Sequence, residues 1–275
     1  MPDRTTSTAI NALTLKKALP LVQTALTAFD RGVRIYRGLS HTESKYRHKP
    51  QMQFGQRVSA NTDNYYTLIV DHDPAWSDYP PRSASIICTN RLNIAGGYGT
   101  TYVVLPEGDP LLGICSSVDY WDSFDRVKLM GGGHTGLTNL NMIIKLMANQ
   151  WAHISNYKPT DYNHLTQVLE IIDEEIAAQN INWPDYVNSS TDWKMQEQAQ
   201  LMLRTPEGSL LEKLQWLLNP DANNFRHAHL SDISELPGHH ELWMHAGIYM
   251  INTHLLPADW QTDEKFSLRT WISQL

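Results

Sequence analysis

Val33-Arg34-Ile35-Tyr36-Arg37-Gly38 is the hexapeptide on which the fold of this chain turns. It follows an amphipathic helical pattern and reads as a short strand, with Val33, Ile35 and Arg37 on one face and Arg34 and Tyr36 on the other. A guanidinium among the inward members of an apolar strand has to be paired, because burying an uncompensated charge is costly. Arg37 therefore either closes an ion pair or holds an anionic ligand such as a phosphate. Gly38 ends the strand and lets a ligand or a loop come close to the backbone.

Outward from this stretch the chain has the composition of a folded protein. Of its 275 residues 41% are hydrophobic and 19% charged, enough for one large domain or two modest ones. With 29 acidic against 22 basic residues the net charge is -7, and there is no dense Lys/Arg block. Duplex nucleic acid is therefore not an expected partner. Nor is a membrane, since no apolar run reaches the roughly eighteen residues a spanning helix requires. The polar N-terminus lacks a signal-peptide pattern. The expected location is cytoplasmic, or a host cytoplasm reached by a route without a signal peptide. Cys88 and Cys115 alone make neither a disulfide framework nor a zinc site.

Apolar positions from Ala9 to Asp30 recur at three to four residues, with Pro20 as a break and Gly32 as a stop. Residues 39–58, with Lys45, Arg47, His48, Lys49 and Arg57, read as a basic surface loop and a candidate lip over a phosphate-bearing ligand. Residues 65–70 read as a short strand or a helix end. Ser85–Thr89, Thr101–Leu105 and Leu111–Cys115 have strand character, and Ala95–Gly99 reads as a glycine-rich turn. After Phe124 the pattern becomes helical: a glycine hinge at Gly131–Gly133, then helices over Leu137–Trp151, Tyr162–Ala178, Trp193–Leu203 and Leu210–Leu218. Asn180–Ser190 and the stretch from Asn219 read as loops. Strand character returns at Glu241–Ile251, and Asp259–Leu275 reads as a tail with a final strand.

Glu241 heads the last apolar stretch, where a carboxylate calls for a partner or a role in stabilising developing positive charge. Three segments in order then resemble the mono-ADP-ribosyltransferases of the toxin and effector type. Tyr36-Arg37-Gly38 is similar to that family's arginine motif. Cys88-Thr89-Asn90, followed by Ala95 and Tyr98, is similar to its Ser-Thr-Ser motif, with cysteine and asparagine at the serine positions and Ser83 and Ser85 just upstream. Tyr102–Gly108 resembles the strand that follows. Glu241 with Gly247 repeats the spacing of the catalytic glutamate, although His239 stands where the arginine-directed branch has glutamate or glutamine.

The resemblance covers residues 10–122 and 236–252. It implies an α+β fold, a split mixed β-core of ADP-ribosyltransferase type with a helical insertion. The core is expected over 9–124 plus 233–275 and the helical lobe over 125–232. It implies NAD as a substrate cleaved with release of nicotinamide, and transfer of ADP-ribose to a macromolecular target, a protein by expectation, or to water. By the same resemblance Arg37 and Gly38 would bind the cofactor, with Arg37 on its phosphates. Thr89 would orient the glutamate or line the ribose pocket with Ser85, Tyr98 would stack on nicotinamide, and Glu241 would be the catalytic carboxylate. Asp119 and Asp122 stay open as alternatives to Glu241.

Other readings compete. Cys88 or Cys115 could serve a hydrolase as nucleophile. The histidines at 227, 229, 239, 240 and 245, with Asp232 and Glu235, form no complete ligand set, so no metal is expected. A non-enzymatic interaction protein would use Arg37 as a salt-bridge residue. The ADP-ribosyltransferase reading makes one geometric demand: Arg37, Thr89 and Glu241 must converge although 204 positions separate the first from the last.

Overall fold

Nine short strands form one sheet among the described residues of the computed structural model, which describes residues 7–40, 43–55, 57–58, 63–127, 136–180, 196 and 200–275. They are β1 (Thr8–Ile10), β2 (Tyr36–Leu39), β3 (Tyr46–Lys49), β4 (Ile86–Thr89), β5 (Thr100–Pro106), β6 (Leu111–Ile114), β7 (Arg226–His229), β8 (Glu241–Met244) and β9 (Ile248–Asn252). Their order across one sheet is β1-β3-β9-β5-β2-β4-β8-β6-β7. The helices are α1 (Ala12–Lys17), α2 (Gln23–Asp30), α3 (Tyr65–His72), α4 (Leu92–Gly96), α5 (Gly136–Trp151), α6 (Tyr162–Ala178), α7 (Leu210–Leu217) and α8 (Leu268–Gln274).

The fold is α+β, but the expected mixed sheet is not what forms. Every pairing among the described strands is antiparallel. Antiparallel neighbours need no crossover helix, so the helices are free to gather elsewhere. Several elements depart from the sequence reading for identifiable reasons. The basic stretch read as a loop contains β3, whose polar residues belong to a strand flanked by β1 and β9. The loop read after Asn219 contains β7, an edge strand with largely exposed side chains, which joins the sheet through β6. Residues 65–70 are helical, and the tail ends in α8, started by the Ser267 side chain accepting from Thr270 N. Ala95 and Gly96 end α4 before the turn at Gly97–Gly99. The single strand expected over Glu241–Ile251 is two strands. β8 pairs with β4 and β6 while β9 pairs with β3 and β5, so the chain crosses between them at Ala246-Gly247.

Two compact units result. The first comprises Met1–Arg57, Asp78–Asp119 and Phe225–Leu275; the second comprises Val58–Ser77 and Tyr120–Asn224. α3 thus belongs with the helices and β7 with the sheet, against the boundaries expected from composition. In the first unit the apolar sides of α1, α2 and α8 meet the sheet over Leu15, Leu26, Phe29, Val103, Met250 and Ile272, all buried. Phe29 and Trp260 stack at 5.8 Å inside this core.

The second unit is built from α3, α5, α6 and α7. Tyr65 donates from its hydroxyl to the Leu137 carbonyl at 2.7 Å, and Asp173 of α6 accepts from the first amide of α7 at 2.9 Å. Ser209 and Glu212 close a capping box at the start of α7. The glycine hinge at Gly131–Gly133, the loop Asn180–Ser190 and most of the helix read over Trp193–Leu203 lie outside the described residues.

Trp243 of β8 fixes the residue beneath it. A Cβ at Gly113 of β6 would collide with the Trp243 indole, whose Nε1 donates to the Pro80 carbonyl at 2.9 Å. Gly113→Val is therefore expected to destabilise the first unit by about 1–3 kcal/mol, the usual cost of overpacking. Chemical denaturation monitored by tryptophan fluorescence reads this, and an unchanged midpoint would refute it.

Candidate functional site

Strand order brings the three motif strands side by side. β2, β4 and β8 are consecutive in the sheet, with Tyr36 opposite Thr89 and Thr89 opposite Glu241. Because the strands are antiparallel, the first residues of β2 and β8 lie at the same end as the last residue of β4. Arg37, Thr89 and Glu241 therefore occupy one end of three neighbouring strands. The charges of Arg37 and Glu241 both reach the Cys88 thiol, which also hydrogen-bonds with Arg37.

Glu241 is held by an arginine that no motif signalled. Arg82, in a single 3₁₀ turn (Arg82–Ala84) before β4, places Nη2 2.5 Å from Glu241 Oε1. Its side chain is only 2% exposed, and its guanidinium lies 5.1 Å from the centre of the Trp243 ring. A charge this deep needs both the carboxylate and the aromatic face to remain in place. The backbone of Glu241 is held as well: its amide donates to the Ser117 carbonyl and its carbonyl accepts from Cys115 N.

The turn leading into Glu241 is strapped to the end of β4. Asn90 Oδ1 accepts from His240 N at 2.9 Å, and Asn90 Nδ2 donates to the Leu236 and Gly238 carbonyls. Arg91 Nε also donates to the Gly238 carbonyl at 2.8 Å. Asn90, which stands where the resembling family has serine, is thus a positioning residue for the glutamate strand. A cluster of carbonyls around one amide side chain is readable only once the turn is folded.

The other sequence candidates fall at varied distances from this end. Arg37 is half-buried and donates to the Ile87 carbonyl. Thr89 is buried, and its hydroxyl oxygen accepts from Arg91 N at 3.2 Å; the side chain that grips Glu241 is Arg82, not Thr89. At Gly38 a Cβ would strike the Ala95 carbonyl, so this glycine is required by the approach of α4. Tyr98, just past α4, is 65% exposed, and partial desolvation, then the charges of Asp119 and Glu241, raise its phenol pKa. Ser85 is fully buried and donates to the Pro81 carbonyl at 2.7 Å, so its hydroxyl serves the turn that carries Arg82. Asp119 lies in the first unit, within electrostatic reach of Tyr98, whereas Asp122 is exposed in the second unit.

The rival chemistries fit less well. Burial pushes the Cys88 thiol up to about 11 despite the lowering effect of Arg37, so it stays protonated near neutral pH. Cys115 is fully buried. Four of the five histidines are engaged separately: His240 lies between the Cys115 and Pro237 carbonyls, His245 faces the Ala84 carbonyl, His229 the Asp109 carbonyl, and His227 sits edge-on to Tyr79. Among the described residues no three His, Cys, Asp or Glu side chains are grouped to hold a metal ion.

No family model, curated protein or solved structure matches this chain. That corrects the sequence reading at one point. The designations ADP-ribosyltransferase, transferase and glycosyltransferase, NAD protein, toxin and effector rested on short motifs in a given order, and no relative carries them to this chain. Three-residue motifs recur by chance, and two of the serines that would have added specificity are replaced here.

The Cys88 thiol has a consequence for stability in base. Its pKa is raised in the folded state, so folded protein retains a proton that unfolded protein has lost. The stabilisation is complete below the unfolded value of 9.0 and is lost as pH rises to about 11. At roughly 1.4 kcal/mol per unit the loss is about 3 kcal/mol. Unfolding free energies measured between these limits are expected to fall more steeply for wild type than for Cys88→Ala; parallel curves would refute the assignment.

Proposed function

We propose that the joined ends of β2, β4 and β8 bind a phosphate-bearing nucleotide and break its N-glycosidic bond. The observation that carries this reading is the adjacency of three strands remote in sequence, which gathers a cation, a hydroxyl and a carboxylate at one end of the sheet. Arg37 supplies charge-assisted donors for a phosphate. Thr89, whose oxygen accepts from Arg91 N, retains its own O–H to donate to a ribose oxygen. Glu241 stabilises the cationic character that develops at the anomeric carbon, and Arg82 fixes the direction of that carboxylate. Tyr98, exposed at the rim, offers a ring face to the departing base.

In the step itself the C1′–N bond breaks and its electron pair leaves with the base. A lone pair from water, or from a side chain of a macromolecular acceptor, forms the new bond to C1′, and the proton of that nucleophile passes to solvent. NAD, whose ribose–nicotinamide bond is an N-glycosidic bond beside a diphosphate, is a suitable probe for this step.

One observation favours a second, non-catalytic reading. Arg82 and Glu241 form a nearly buried pair stacked on Trp243, an arrangement that also serves to pin two strands.

Purified protein incubated with NAD, alone and with cell extract as a source of acceptor, is expected to release nicotinamide. Glu241→Gln should reduce release by about 10²–10³-fold, the usual effect of removing a group that stabilises transition-state charge. Arg37→Ala should raise KM more than it lowers kcat. No release from wild type, with Glu241→Gln unfolding at lower denaturant, would assign the pair to structure alone.

A further inference from the structure

A polar cavity lies beside this end of the sheet, in the first unit, and its lining does not include Arg37 or Glu241. Its volume is about 530 Å³, and Arg34, Tyr36, Asn90, Arg91, Asn93 and Gln261 supply its polar lining, with Leu92 and Leu236 among the apolar walls. That volume is within the range of roughly 300–1,000 Å³ occupied by small-molecule sites. Tyr36 and Arg37 are consecutive in β2, so their side chains leave opposite faces of the strand. The cavity therefore opens on the other face of β2 from Arg37, the face that register gives to Thr89 and Glu241, and its lining includes neither of those two.

Its electrostatics are one-sided. Arg34 and Arg91 both act on the Tyr36 phenol, which places the two guanidiniums around one ring. Neither makes an ion pair with a carboxylate among the described residues. Arg34 is instead held by neutral groups. Its Nη1 donates to the Gln261 carbonyl at 3.2 Å, and its Cζ lies 5.2 Å from the Phe29 ring centre and 5.3 Å from that of Trp260. Arg34 Nε is buried with no hydrogen-bond partner, which in a folded protein calls for a reason. Arg91 uses Nε on the Gly238 carbonyl, leaving its terminal nitrogens as donors. Two fixed cations without an acidic counterpart, in a chain of net charge -7, are built to receive an anion.

We infer that this cavity binds a small molecule bearing a diphosphate. Two guanidiniums match two linked anionic groups better than a single carboxylate, Tyr36 adds a hydroxyl, and the Asn93 amide stands at the exposed rim. The leucines accommodate an apolar or planar remainder. Arg91 and its neighbour Asn90 also hold the turn that leads into Glu241. An anion drawing on Arg91 is thus mechanically connected to the strand start at the proposed reaction site.

Calorimetric titration of the folded chain with inorganic pyrophosphate at low ionic strength tests the assignment. A saturable site is expected that is weakened at least tenfold in Arg34→Gln and in Arg91→Gln and is still present in Arg37→Ala. Because Arg34 packs between two aromatic rings, Asn93→Asp provides an arm with little risk to folding: a carboxylate at the exposed rim should also weaken binding about tenfold. Absence of saturable binding would overturn the inference. So would binding lost in Arg37→Ala but kept in the Arg91 and Asn93 variants, which would move the anion to the other site. The reading of Glu241 as a reaction-site carboxylate stands or falls separately, on nicotinamide release.

Discussion

The contact between Arg82 and Glu241 is the constraint around which this end of the sheet is arranged. A nearly buried arginine cannot be left without its carboxylate, so the turn before β4 and the start of β8 have to stay together. Trp243 supplies an aromatic face for the guanidinium, and its bulk in turn removes the side chain at position 113. Ser83, next to Arg82, accepts from the amides of Gly55 and Arg57, one through its hydroxyl and one through its carbonyl. The segment leaving β3 is therefore tied to the same turn. One charge pair thus organises contributions from four separate parts of the chain.

Around it, polar groups are matched with unusual economy at the end of β4. Thr89 and Asn90 are consecutive, yet one faces its register partner Glu241 and the other collects three groups of the 236–240 turn. A strand end that both pairs with the glutamate and straps the turn before it leaves that carboxylate little freedom to reorient. Such preorganisation is what electrostatic stabilisation of a short-lived cation requires, since dipoles that must move first lose much of their benefit. It also stiffens the sheet, which is why the same geometry can be read as structure.

Much of the secondary structure was legible because it depends on local pattern. α6 is bounded as its apolar stripe suggests, with Leu165, Val168, Leu169 and Ile172 buried, and the break at Pro20 separates α1 from α2. The strands Ile86–Thr89 and Leu111–Ile114 follow from β-branched and alternating apolar content. What was not legible is set by partners far along the chain. Arg47 and His48 belong to a strand only because β1 and β9 flank them, and β7 because β6 does. At the candidate site the motif residues were visible as odd placements of charge. Arg82 was not, since an arginine after Pro80-Pro81 looks like any turn residue until Trp243 and Glu241 are placed against it. Ser85 was singled out by residue type, and burial reassigns it to a backbone carbonyl.

Charge distribution ties these observations together. The chain is acidic overall, so long-range attraction gives an anionic ligand no general advantage. Capture has to occur within about a Debye length, close to 8–10 Å, where local cations dominate. Arg82 is committed to Glu241, while Arg34 is held by aromatic faces and carbonyl oxygens, which stiffen it without cancelling its charge. Cys88 follows the same logic: kept protonated by burial, it sits against Arg37 without neutralising it. A thiolate there would spend the cation on the protein itself. Neutral neighbours for Arg34, and a charged one for Arg82, separate an arginine suited to meeting a ligand from one that holds a carboxylate.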